Sequence, residues 1–250
     1  MTRLLVPAVC FAVVTVLTAT GRPVQDAKKT DLPAPDFKLT SGEFEVEYKQ
    51  DRDAAVRKYT GKVVEVTGEV FDVILAVGGK AANIMFYAAD RQSSIAGAYR
   101  SNDMGVLTEL GKGETVTLRG TFNDSGMGFV AALDGCVVVK KGPSTVVRMT
   151  SVELSKQFSA APAEAAKKLK GKTVIVTGVV TALKPKSTAP QYLELKDDGK
   201  TPVSVSFGSN FSTAGMYKVG DPITVRSSDL GRRGEQVRLF FSLAVPAGTK

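Results

Sequence analysis

The chain of 250 residues contains no histidine. That absence removes Ser-His-Asp and Cys-His nucleophilic catalysis, histidine-ligated metal sites and the zinc-deaminase arrangement in one step. Cysteine is nearly as scarce, with only Cys10 and Cys136. Cys10 lies in an N-terminal apolar run, so a processed chain keeps Cys136 alone and forms neither an intramolecular disulfide nor a four-cysteine metal site. The apolar neighbours in LDGCVVV make Cys136 a buried small hydrophobe rather than a reactive thiol. A phosphate loop is missing too. GKVVEVTG and LGKGETVTLRG lack the full G-x-x-x-x-G-K-S/T pattern, and each leads into a strand where a Walker loop leads into a helix. No cofactor is expected, and an enzyme built from these residues is left with carboxylate or lysine chemistry. Glu65 and Glu69 fall on one side of a strand, but their counterparts later in the chain are Ile175 and Val179. Solvated charges on a strand face account for them without chemistry.

Long apolar runs are also lacking after the start of the chain. The first residues, MTR followed by LLVPAVCFAVVTVLTAT, are a basic tip and a charge-free run too short for a transmembrane helix of roughly 20 apolar residues. Residues 1–20 are therefore expected to be an export signal, placing the protein in a bacterial periplasm or cell envelope, with an uncleaved N-terminal membrane anchor as the alternative. No stable membrane span is expected once the signal is removed. Residues 21–41, with Pro23, Pro33 and Pro35 and no sustained apolar period, read as a linker.

What the chain does have is a phrase written twice. GKVVEVTG at 61–68 returns as GKTVIVTG at 171–178. Ahead of it, Phe44, Tyr48, Ala55 and Tyr59 share a helical face, and Leu154, Phe158, Ala165 and Leu169 hold the same positions in the second copy. Asp51 is suited to cap a helical restart, and Pro162 to begin one. Val64, Val66 and Val70 then alternate along a strand, as do Val174, Val176 and Val180, with Gly68 and Gly178 marking a bulge, bend or close backbone packing. LGKGETVTLRG at 110–120 matches YKVGDPITVRS at 217–227, and Cys136 aligns with Ser242. The pattern predicts a mainly β chain: two tandem small barrels of about five strands, each preceded by an amphipathic helical element, over 42–142 and 150–246.

The run F44-x-x-E47-Y48-x-x-D51-x-x-A54-A55-x-x-K58-Y59-x-G61-K62 followed by VVEVTGEV, with LGKGETVTLRG and L133-D-G-C136, resembles the tRNA anticodon-binding-like OB domain family. The second copy resembles it more loosely. The resemblance implies five-stranded OB-like barrels and leaves the function open, because one fold hosts many activities.

The charge of +8 is uneven: residues 41–140 hold 11 Lys or Arg against 14 Asp or Glu, and residues 141–250 hold 17 against 8. In an OB barrel the loops joining strands 1 to 2 and 4 to 5 flank the usual oligomer-binding face. The second copy places Lys184 and Lys186 in the first loop, Arg232 and Arg233 in the second, and Arg226 and Arg238 on adjoining strands. Tyr192 and Phe207 are stacking candidates beside these cations, although Phe207 also suits the core. The first copy carries only Lys80 and Asp124 in its equivalent loops. The expected role is an exported, non-enzymatic binding or envelope-associated protein with a protein or envelope component as partner. The alternative is single-stranded nucleic-acid or other polyanion binding through the second copy, and a carboxylate-based enzyme ranks third.

Overall fold

The computed structural model describes residues 32–75, 82–88, 97–101, 104–107, 109–124, 131–184, 192–207, 214–240 and 242–245. The signal expected over 1–20 and the cation expected at Lys186 lie outside the described residues. The first element is a strand, β1 (Phe37–Thr40), which pairs in parallel with the later strand β2 (Val63–Leu75). The expected linker is therefore too long at its C-terminal end: Phe37 and Leu39 pack against the core, which a solvated tail does not.

Thr40 turns β1 into a helix. Its hydroxyl accepts from the Glu43 amide at 3.2 Å and the Glu43 carboxylate accepts from the Thr40 amide at 2.7 Å, a capping box that satisfies two donors at the start of α1 (Ser41–Gln50). Asp51 ends α1 in an extended conformation and caps α2 (Arg52–Tyr59) through a 2.9 Å bond from the Ala54 amide. The second half repeats these devices. β7 (Val147–Thr150) pairs in parallel with β8 (Val174–Lys184), Thr150 and Glu153 box the start of α4 (Ser151–Ala160), and Pro162 opens α5 (Pro162–Leu169). After each helix pair a glycine with positive φ, Gly61 at 72° and Gly171 at 70°, reverses the chain into the long strand.

β2 pairs antiparallel with β3 (Ala82–Phe86), and β3 with β4 (Gly97–Ser101). The short helix α3 (Met104–Leu107) leads to β5 (Thr115–Phe122), and β6 (Ala131–Lys141) runs parallel to β4 and antiparallel to β5. Since β5 returns to β2, the pairing circuit of this sheet closes. In the second sheet β8 pairs with β9 (Tyr192–Leu195), β9 with β10 (Val203–Ser206), and β10 runs parallel to β13 (Gln236–Phe240). β11 (Pro222–Ser227) lies between β8 and β14 (Leu243–Ala244), and β12 (Asp229–Arg233) forms a hairpin with β13. The molecule is thus mainly β, with two sheets, and both halves open with the same order of one strand, two helices and three strands.

Each sheet buries its own apolar cluster. Phe44, Tyr59, Phe122 and Leu133 belong to the first, and Leu154, Phe158, Val205 and Leu239 to the second. Burial of each such side chain contributes about 1.5–3 kcal/mol. The repeated strand glycine has one cause in both halves. A Cβ on Gly68 would lie 2.8 Å from the Ser41 hydroxyl and 2.7 Å from the Phe86 ring, and one on Gly178 would lie 2.6 Å from the Ser151 hydroxyl. The helix start rests on bare strand backbone there. Just beyond, a bulge at Phe71 lets Phe71 and Asp72 both face outward between buried Val70 and Val73. Thr181 occupies the same bulge in β8. Cys136 and Ser242 also occupy equivalent places, with the thiol and the hydroxyl each donating to the carbonyl three residues back at 3.2 Å.

The two sheets meet along a polar seam. The Lys112 amide donates to the Thr173 hydroxyl at 2.8 Å, and the Thr145 hydroxyl donates to the Lys112 carbonyl at 2.8 Å. Arg148 pairs with Glu109 beside them. At the centre, Arg226 of β11 donates to the Leu110 carbonyl at 3.0 Å and to Asp72 at 3.3 Å, while Ser228 donates to Asp72 at 2.8 Å.

Candidate polyanion interface

The outward face of the second sheet is set by register. Leu193, Leu195, Val203, Val205, Val237 and Leu239 point into the core, so the residues alternating with them share the outer surface. Lys184 stands opposite Tyr192, Tyr192 opposite Ser206, and Ser204 opposite both Glu194 and Arg238. Arg238 dominates this face. Its guanidinium lies 4.8 Å from the Tyr192 ring centroid and 5.7 Å from that of Phe240. Stacked there, it covers Ser204, which is fully buried although its side chain lies on the outer side. Gly231, directly across from Arg238 on β12, leaves the Phe240 ring room: a Cβ would come within 3.3 Å of it. The Arg238 Nε is buried under the stacked side chain without a hydrogen-bond partner.

The remaining expected residues divide among three environments. Arg232 and Arg233 are exposed, but they end strand β12 rather than sit in a loop, and consecutive strand residues face opposite ways. Arg233, opposite Gln236, shares the Arg238 face; Arg232, opposite Val237, takes the other. Lys184 is half-buried at the far edge, with its ammonium 3.7 Å from Glu194. Arg226 is corrected outright. It is 1% exposed and spends its donors on Leu110 and Asp72 inside the seam, so it belongs to no surface footprint. Burial pulls its basicity down and Asp72 pushes it back up. Of the two uses expected for Phe207 the structure shows the core, not stacking on the surface: it is 4% exposed and lies nearly parallel to Tyr217 at 6.3 Å. Phe240 completes the aromatic cluster; its two-residue spacing from Arg238, across core Leu239, is the signal in the sequence.

Among the described residues the first half offers no comparable face. Glu65 is engaged by Arg119 at 2.7 Å and Lys38 at 3.5 Å; burial pushes its carboxyl up, but these two cations leave it below its ordinary value. Among the described residues no group of three or more Cys, Asp or Glu is placed to hold a metal ion. Cys136 is inert in this fold, because burial pushes its thiol far above the ordinary cysteine range. Among the described residues no helix is long and apolar enough to cross a membrane.

No curated protein matches the chain in sequence. Several solved structures resemble it in shape. A Klebsiella pneumoniae lipoprotein, named provisionally for nucleic-acid binding, is 21% identical, covering 40% of this chain and 92% of its own, with a TM-score of 0.33. A murine DNA-binding protein solved with double-stranded DNA is 12% identical over 74% of this chain and 95% of its own, with a TM-score of 0.26. A deletion mutant of the Thermus aquaticus single-stranded DNA-binding protein is 14% identical over 71% and 89%, with a TM-score of 0.20. Likeness this distant does not bear on what the present chain binds. The tRNA_anti-like family model matches residues 137–229, from the end of β6 to the first residue of β12. That is the half in which the resemblance read more loosely, and the match stops short of Arg232, Arg233 and Arg238. Over residues 137–229, less than half of its length, the chain is similar to the tRNA_anti-like family.

Proposed function

We propose that the protein is an exported, non-enzymatic binding module of two tandem OB-like barrels, over 42–142 and 150–246, whose second barrel takes a single-stranded nucleic acid or a similar anionic polymer. The closed pairing circuit of the first sheet and the order of one strand, two helices and three strands that opens both halves support the tandem reading. The N-terminal apolar run supports export. One observation carries the ligand: Arg238 stacks on Tyr192 and Phe240 on the outer sheet face, which Lys184, opposite Tyr192, and Arg233, opposite Gln236, share. Aromatic rings offer bases a stacking surface of about 1–3 kcal/mol each, and cations track the phosphates.

Titration of the mature protein with labelled single-stranded DNA, single-stranded RNA and an acidic polysaccharide at two salt concentrations tests this reading. If Lys184, Arg233 and Arg238 each meet one phosphate of a single strand, log K falls with log salt at a slope of about −2, and Arg233→Gln lowers that slope by about 0.7. A folded protein that binds none of the three polymers at low salt would falsify the reading and return a protein or envelope component as the partner.

A further inference from the structure

The seam opens on one side into a cleft of about 1060 Å³ that the outer-face site does not use. Its walls come from both halves of the chain. The bulge in β2 turns Phe71 outward, and Tyr87, just past β3, meets it edge-to-face at 5.2 Å and 87°. Lys112 places its ammonium 4.8 Å from the Phe71 ring, and its backbone is pinned on both sides by Thr173 and Thr145, so the position of this cation is built into the junction. From the second half, Lys167 in the last turn of α5 and Lys170 just beyond it line the opposite wall with Asp229.

The charges of this cleft do not cancel. Asp72 is already taken up by Arg226 and Ser228, which leaves three lysines and Asp229. Lys167 and the C-cap residue Lys170 both stand where cations complement the C-terminus of α5, whereas Lys112 serves no helix end. A planar ring laid on either aromatic would meet the other edge-on, the arrangement aromatic pairs prefer. Asp229 can accept from N–H or O–H donors on such a ring or its sugar. The cleft thus combines a flat apolar corner, anion receptors and one acceptor, in a volume that suits a small molecule.

We propose that this cleft is a second binding site, separate from the outer face of the second sheet, that takes one nucleotide unit: the base against Phe71 and Tyr87, the phosphate at Lys112 and Lys170, and a donor group at Asp229. The unit is either a free mononucleotide or a single residue of a bound strand.

Calorimetric titration of the full mature chain with AMP, adenosine, inorganic phosphate and a short oligoadenylate separates these sources. For a free nucleotide, AMP binds at least tenfold more tightly than adenosine or phosphate, and K112Q/K170Q weakens it about tenfold or more. For a strand residue, AMP is no better than phosphate, whereas the oligonucleotide loses a similar factor in K112Q/K170Q and keeps the loss it shows in Arg233→Gln as an independent step. Phe71→Ser, at a half-buried bulge position, should reproduce the loss for ring-bearing ligands and leave phosphate unchanged. The proposal is overturned if K112Q/K170Q, with the circular dichroism and melting temperature of the parent, binds AMP and the oligonucleotide as the parent does. It is equally overturned if neither ligand binds the parent. Loss of oligonucleotide binding on Arg233→Gln with AMP affinity intact separates the two sites from each other.

Discussion

Arg226 and Asp72 meet across 154 positions of sequence, and one arginine with nearly no exposure holds two sheets to each other. Removing one member of such a pair leaves the other without its counter-charge. Arg226→Ala is expected to cost about 3 kcal/mol, at the lower end for buried pairs because Asp72 keeps some contact with water. Urea unfolding measures it, and a loss below about 1 kcal/mol would show that the seam does not depend on this residue. Cys136 invites a gentler test. Since Ser242 makes the same 3.2 Å bond to a carbonyl three residues back, Cys136→Ser should be tolerated within about 1.5 kcal/mol, and the native thiol should stay unreactive to a disulfide reagent until the protein unfolds. Rapid labelling of the folded protein would contradict the buried placement.

Helix starts and strand glycines act at the scale of elements. Thr40→Ala and Thr150→Ala each remove a capping box and should each cost about 1 kcal/mol, read as a lowered melting temperature. Gly68→Ala forces a methyl group against Phe86 and Ser41 and should cost about 1–3 kcal/mol. A pH effect belongs to the loop after β9. Ser155 and Ser159 of α4, with the Thr201 and Lys200 amides, donate to Asp198 and hold its carboxyl well below the usual range. A carboxylate pKa lowered by folding stabilises the native state above the unfolded value of about 3.9, and that contribution fades as pH falls below it. Asp198→Asn should therefore be less stable than the parent at pH 7, with the gap narrowing toward pH 2; a constant gap would remove Asp198 as its source. Caps, alternation and the Pro162 restart were legible in the sequence because each depends on neighbours within a few residues. Arg226 was not, because a cation at a strand position reads alike whether it meets solvent or another sheet, whereas the alternation around Phe207 already pointed to the core. Arg233 was legible as a surface cation, but its separation from Arg232 required knowing that both lie on a strand.

For the whole molecule, the seam decides whether the sheets behave as one cooperative unit. Lys112, Thr145, Thr173, Arg226 and Asp72 tie them by hydrogen bonds on both sides of the cleft. Calorimetry of the parent should give one transition, and D72A/R226A should broaden or split it. Two separate transitions in the parent would mean that the halves unfold independently. The uneven charge also acts at this scale, because the basic second half would supply the long-range attraction for the proposed anionic polymer, while the first half, net negative over 41–140, would contribute only locally, as at Lys112.

The bulge in the long strand has a consequence for how such a chain can change. Phe71 in one half and Thr181 in the other are supernumerary to the two-residue period, so neither side chain enters the packing of its own core. In one half the slot presents a ring to the cleft; in the other it holds a hydroxyl that donates to the Glu194 carbonyl. Deleting either residue would restore plain alternation and keep the core residues on both sides, Val70 and Val73 or Val180 and Leu183, in register. The fold therefore carries, at the same point of each sheet, a replaceable socket through which the surface can be respecified while the interior stays blind to the choice.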